Sequence, residues 1–237
     1  MRKVVYLHVG THKTGTTSIQ YYCANKKFYL GDNGLKFIEV ELTDPKTGNI
    51  ESNPNSFLLA HYFLRDDLVT VMRSVAIDIE TFESKCFETA KSVQEIIENT
   101  PHRRLLISSE AFCFARTDAE RSAISGFFER LDCEVRPIIV LRSQAQWRES
   151  FKAELAKTKY SIRNSGLPDC NRVDSDWYFD RKAVVSFWSS FGSPIVLNYE
   201  EAMVSYGSII PSLLKAVGIE VAPDSESYFL NRRQTGR

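Results

Sequence analysis

Val4-Val5-Tyr6-Leu7-His8-Val9-Gly10-Thr11-His12-Lys13-Thr14-Gly15-Thr16-Thr17-Ser18-Ile19-Gln20 is the stretch that decides the fold. Its first half is a short apolar run with β-branched residues, which reads as a buried strand. A turn-prone segment follows, with two glycines, one lysine and a cluster of threonines. A helical pattern then runs to about Leu30, with Gly31 placed as its stop. Strand, glycine loop and helix together are the layout of a phosphate cradle. The glycines let the backbone curl so that several N–H groups face one anion, and the helix N-terminus adds unpaired donors and its dipole.

The order of residues inside the loop narrows the reading. An ATP or GTP loop has the pattern G-x-x-x-x-G-K-[ST], with the lysine directly after the second glycine. Here Gly10 and Gly15 have that spacing and Thr17 holds the Ser/Thr position, but Thr16 stands where the lysine belongs. The lysine is Lys13, inside the loop. This rearrangement resembles the sulfotransferase family, whose loop holds the 5′-phosphosulfate of 3′-phosphoadenosine 5′-phosphosulfate (PAPS). The resemblance implies that Thr11, His12, Lys13, Thr14, Gly15, Thr16 and Thr17 contact the nucleotide. It also implies that Lys13 neutralises charge on the leaving oxygen. No metal is implied.

Working outward, 237 residues at 43% hydrophobic composition suit one α/β domain spanning 1–237. Net charge is zero, so no global field favours nucleic acid or an anionic membrane, and a basic site must be local. The five cysteines are odd in number and without a C-x-x-C pair. They suggest neither a zinc site nor a disulfide framework, and fit a reducing compartment. With no signal-peptide pattern and no membrane-length apolar run, the expectation is a soluble, cytoplasmic protein.

Farther along, Gly34–Leu42 alternates polar and apolar residues and reads as a second strand, and Thr43–Pro54 as loop. A short helix is expected over Asn55–Leu64 and a long one over about Ser74–Glu98. Arg104–Glu110 reads as a third strand, and Thr117-x-x-Glu120 as a capping box opening a helix. Val135–Leu141 is the most apolar strand and ends at Arg142. Helices follow it from Ser143 and from about Asp176, then a strand at Pro194–Tyr199 and a last helix around Ile210–Val217. Alternating strands and helices predict an α/β, three-layer P-loop-like fold, with a mostly parallel sheet of about five strands flanked by helices. Ligands in such sheets bind outside the carboxyl ends of the strands. That rule gathers the Gly10–Thr17 loop, Glu110 and Arg142 at one edge.

Arg142 and Ser150 form the second informative pair. A guanidinium at a strand end and a hydroxyl two turns into the next helix suit a phosphate monoester. The sulfotransferase family has this pair, an arginine followed eight residues later by a serine, binding the 3′-phosphate of PAPS. The family analogy also lets Ser150 touch and restrain Lys13. Glu110 is the candidate general base, a strand-end carboxylate able to take the proton of an attacking hydroxyl. His12 and His61 are rival bases. His8 reads as a core histidine, and His102 lies away from the site.

The chain departs from the best-known cytosolic branch at two points. Ser18 stands where that branch has an adenine-stacking tryptophan. The C-terminal Arg232-Arg233-Gln234-Thr235-Gly236-Arg237 is a loose echo of its basic-glycine segment. Arg232 and Arg233 are candidate contacts to the 3′-phosphate, with an exposed basic tail as the other reading. The chain looks more like the bacterial and carbohydrate-type members, which implies a hydroxyl-bearing acceptor, a saccharide or a small molecule. Thr158–Ser175, with Lys159, Arg163 and Arg172, is a candidate acceptor lid or a solvated basic loop. Two other classes stay open: a P-loop nucleotide kinase or NTPase, and a non-catalytic nucleotide-binding module.

Overall fold

A strand flanked on both sides needs apolar residues on both faces, and β1 (Lys3–His8) has them. It pairs in parallel with two neighbours, Val5 standing opposite Leu105 on one side and Val135 on the other. The computed structural model describes residues 2–43, 48–68, 70, 72–73, 78–157 and 177–221. After β1 come α1 (Thr16–Asn25), α2 (Lys27–Asp32), β2 (Leu35–Phe37), β3 (Val40–Thr43), β4 (Ile50–Asn53), α3 (Phe57–Phe63), α4 (Ile79–Asn99) and β5 (Arg104–Ser108). A 3-10 turn (Glu110–Phe114), α5 (Asp118–Arg130), β6 (Cys133–Leu141), α6 (Gln144–Lys157), α7 (Arg181–Ser189), β7 (Ile195–Asn198), α8 (Tyr199–Tyr206) and α9 (Ile210–Ala216) follow.

The main sheet has five strands in the order β2-β5-β1-β6-β7, and every pairing in it is parallel. Alternation along β1 sends Val5 and Leu7 into one core and Tyr6 into the other. The first core packs under α3, α4, α5, α6 and α7, and the second under α1, α2, α8 and α9. The result is the expected three-layer α/β architecture. From β1 the chain crosses to β2 on one side, whereas from β6 it crosses to β7 on the other. The crevice between β1 and β6 is therefore the topological switch point, where such sheets place a ligand.

Several elements differ from expectation for physical reasons. The first helix breaks at Lys26, which has non-helical ψ 19, and Gly31 lies inside α2 rather than ending it. The reversal falls instead at Gly34, with φ 74. The expected strand over Gly34–Leu42 is two strands in two sheets. Side-chain alternation runs through unbroken, with Leu35 and Phe37 facing the second core and Ile38 and Val40 the first, but the pairing partner changes from β5 to β4. The expected loop at Thr43–Pro54 contains β4, antiparallel to β3. The helix expected from about Asp176 begins at Arg181, where the Asp180 side chain accepts from Ala183 N–H. Tyr178 and Phe179 precede it as buried core residues. The Thr158–Ser175 segment and Arg232, Arg233 and Arg237 lie outside the described residues. No helix of the described residues is long and apolar enough to cross a membrane.

Candidate active site

The loop leaving β1 is tied to β6 by an extension of the strand ladder. Val9 N–H donates to Ile138 O (3.0 Å), Val140 N–H to Gly10 O (2.6 Å) and Thr11 N–H to Val140 O (2.9 Å). The loop then curls through three left-handed residues: Gly10 (φ 88), Lys13 (φ 66) and Gly15 (φ 81). For Lys13 this conformation is costly, and two bonds brace it. The Thr14 hydroxyl donates to Thr11 O, and Arg142 Nη1 donates to Lys13 O at 3.2 Å.

These contacts sort the threonines. The Thr11 hydroxyl donates to Val140 O and that of Thr14 to Thr11 O, so both brace the loop and neither hydroxyl proton is left for a ligand. Thr16 Oγ1 is buried and has no partner, and Thr17 is exposed. Gly15 caps α1 without a side-chain bond, and the first turn of α1 carries no acidic residue. By contrast α4, α5, α7 and α8 are each capped by a side-chain oxygen. The α1 N-terminus thus keeps backbone donors that its own side chains do not satisfy, plus an unpartnered hydroxyl, as an anion site requires.

Arg142 stands across the crevice at the end of β6. Besides Lys13 O it reaches Gln146 Oε1 (3.4 Å), lies 3.8 Å from Glu200 Oε1, and stacks 5.1 Å from the Tyr199 ring centroid. Glu200 Oε1 also accepts from Ser143 N–H at 2.9 Å, at the entrance to α6. An internal carboxylate thus sits on the backbone donor that an external anion would otherwise find. Ser150 is half-buried one turn beyond Gln146 on the same face of α6. Among the described residues no hydrogen bond joins it to Arg142 or Lys13.

Glu110 was expected at a strand end. It is instead the first residue of the 3-10 turn, with the Ser109 side chain accepting from Ala111 N–H ahead of it. Glu110 as a whole residue is half-buried, and Gln20 Nε2 donates to its Oε2 at 3.3 Å. Burial pushes its pKa above the usual carboxylate range, against the pull of its own backbone N–H, Gln20 and Lys13. Gly10 is packed against it: a Cβ on Gly10 would fall 2.9 Å from Glu110 Cα.

The rival bases are engaged elsewhere. The His12 ring packs among Phe114, Tyr178 and Phe151, with Nδ1 3.5 Å from Cys113 Sγ. Burial and neighbouring Lys13 lower its pKa to about 3, so it is a neutral, loop-shaping residue at pH 7. His61 Nδ1 donates to Phe57 O and Nε2 accepts from Thr70 Oγ1, each at 2.7 Å; burial lowers its pKa to about 4. His8 is the expected core histidine, 2.8 Å from Ser108 Oγ. Among the described residues no group of three His, Cys, Asp or Glu side chains could hold a metal.

Gln20, Tyr199 and Glu200 belong to this site and were not singled out from the sequence. Tyr199 and Glu200 had a signal: Asn198-x-x-Glu201 followed by Gly207 marks a helix with its N-cap and left-handed C-cap. Gln20 had one as well, being a polar residue on the apolar face of α1.

No family model matches the chain, and no curated protein matches it. Among solved structures it is similar to a sulfotransferase from Alicyclobacillus acidocaldarius. That likeness has 14% identity and a TM-score of 0.49, over 94% of this chain and 87% of the other. It is also similar to the sulfotransferase domain of the curacin biosynthetic pathway, at 14% identity and TM-score 0.44, over 100% of this chain and 81% of that one. A third is the sulfotransferase domain of the Synechococcus PCC 7002 olefin synthase, at 12% identity and TM-score 0.44, over 99% and 80%.

Proposed function

We propose that the protein is a PAPS-dependent sulfotransferase that moves a sulfuryl group to a hydroxyl of a saccharide or small-molecule acceptor. The observation that carries this reading is the bond from Arg142 Nη1 to Lys13 O. It joins two elements, each suited to a phosphate, across the switch-point crevice. The donor set fits such a nucleotide: backbone N–H groups that no side chain caps and the Thr16 hydroxyl at the α1 terminus for one phosphate, Arg142 and Ser150 for the other. PAPS supplies the sulfuryl group and a bridging oxygen that leaves with its bonding electrons. Lys13 neutralises the charge gathering on that oxygen. Glu110 accepts the proton of the acceptor hydroxyl as its oxygen attacks, and its raised pKa brings it nearer to the pKa of an effective base at neutral pH. The position of Lys13 also favours this reading over a kinase, whose lysine would stand at Thr16.

The test is Glu110→Ala, assayed for binding of the desulfated product 3′-phosphoadenosine 5′-phosphate (PAP) and for sulfuryl transfer over an acceptor panel. The expected result is PAP affinity within a few-fold of wild type and a transfer rate lowered about 10²–10⁴-fold. Wild type that binds PAP but consumes no PAPS with any acceptor would make the chain a binding module instead.

A further inference from the structure

Gln20 is a polar residue in an apolar place. Its neighbours Ile19, Tyr22 and Cys23 on α1 all enter the core, and Gln20 itself is 4% exposed. A buried amide is costly unless it finds partners. The partner here is Glu110, ninety residues away in sequence, through Gln20 Nε2 and Glu110 Oε2. Gln20 lies one turn beyond Thr16 on the same face of α1. The helix whose N-terminus faces the phosphate loop therefore also reaches the carboxylate. Gly10 lets its own backbone approach the Glu110 Cα and Cβ. Glu110 is thus met at its backbone by Gly10 and at its carboxyl by Gln20.

We propose that Gln20 is the positioning residue for Glu110, fixing Oε2 so that Oε1 is the oxygen presented to the acceptor hydroxyl. This rests on the assignment of Glu110 as base. An amide N–H donates and cannot take the transferred proton, so the Gln20 bond orients the carboxylate without competing for its role. Donation also favours the charged form. It works with Lys13, the charged side chain that acts on Glu110 among the described residues, and with the backbone N–H of Glu110, against burial. Without Gln20, burial keeps the carboxyl protonated to higher pH, and a protonated carboxyl takes no proton.

The test is a carbon-13 NMR titration of carboxyl-labelled glutamate in the nucleotide-free protein. The Glu110 signal is assigned by its absence from Glu110→Gln. In Gln20→Met, close in shape but without a donor, the Glu110 midpoint moves to higher pH. The acidic limb of PAP release from PAPS moves the same way, and PAP affinity stays within twofold of wild type. An unchanged midpoint in folded Gln20→Met overturns the proposal. Should that variant not fold, Gln20→Glu serves: two carboxyls at this distance titrate as a coupled pair, and independent titration overturns the proposal. Wild type that releases no PAP refutes the sulfotransferase reading but not the pairing, which the titration reads without nucleotide. Full turnover by Glu110→Gln removes the base, and with it the role assigned to Gln20.

Discussion

Gly10→Ala is the sharpest structural probe of the site. Gly10 has φ 88, and an added Cβ would lie 2.9 Å from Glu110 Cα, 3.0 Å from Glu110 Cβ and 3.4 Å from Glu110 O. The left-handed conformation costs an alanine about 1–2 kcal/mol. Forcing the Glu110 backbone away costs about 1–3 kcal/mol more, as overpacking does. Restricting the unfolded chain returns about 0.4–1 kcal/mol. The net is about 3 kcal/mol, or a Tm lower by about 6–12 °C for a chain of this size. Gly48→Ala is the internal control: its φ is 71 but a Cβ there meets nothing within 4 Å, so it carries the conformational cost alone, about 1 kcal/mol. Urea unfolding of both variants beside wild type isolates the Glu110 contact as their difference, about 2 kcal/mol. Equal destabilisation of the two would refute the close approach between loop and carboxylate on which the site geometry depends.

Other predictions follow from the same contacts. Burial raises the Glu110 pKa above its ordinary 4.5, so the folded protein holds this proton more tightly than the unfolded chain. The stability it contributes is complete below the unfolded value and is lost as pH rises through the folded one. Glu110→Gln should therefore be more stable than wild type at pH 7 but not at pH 4, by urea midpoints; an equal gain at both pH values would contradict this. Glu200→Ala removes the carboxylate that holds Ser143 N–H and stands 3.8 Å from Arg142 Nε. With Arg142 less firmly aimed, PAP affinity should fall about tenfold, about 1.4 kcal/mol, while 5′-AMP, which lacks the 3′-phosphate, is unaffected. Titration calorimetry separates the two ligands, and tighter PAP binding would show that Glu200 competes with phosphate rather than positioning its arginine.

What the sequence disclosed and what it hid have physical causes. The β1 loop was readable because a phosphate cradle demands glycines at fixed places and a strand before them, all within Val4–Gln20. The central strands β1, β5 and β6 were readable as apolar runs because they are buried on both faces. The end of β2 was missed because Ile38 and Val40 continue its side-chain alternation, and the break is a change of pairing partner, from β5 to β4. β4 was hidden because Ile50, Glu51 and Ser52 are all exposed, which leaves no burial pattern to read. The Arg142–Lys13 and Gln20–Glu110 bonds join residues 129 and 90 positions apart, and no local pattern encodes such a pairing. The direction of the threonine hydroxyls was equally out of reach: Thr11, Thr14 and Thr16 look equivalent in sequence, yet only Thr16 keeps a hydroxyl that is buried and unpartnered.

The central claim is that the β1–β6 crevice binds a nucleotide carrying both a 5′- and a 3′-phosphate without a metal. Thermal unfolding with PAP in EDTA, beside ATP with magnesium, tests it most directly. PAP at a hundred times its dissociation constant should add about 2.7 kcal/mol of stability. The shift should vanish in Lys13→Ala and in Arg142→Ala, with no shift from ATP and magnesium. A shift with magnesium-ATP and none with PAP would contradict the account and make Lys13 and Thr17 parts of a kinase-type loop.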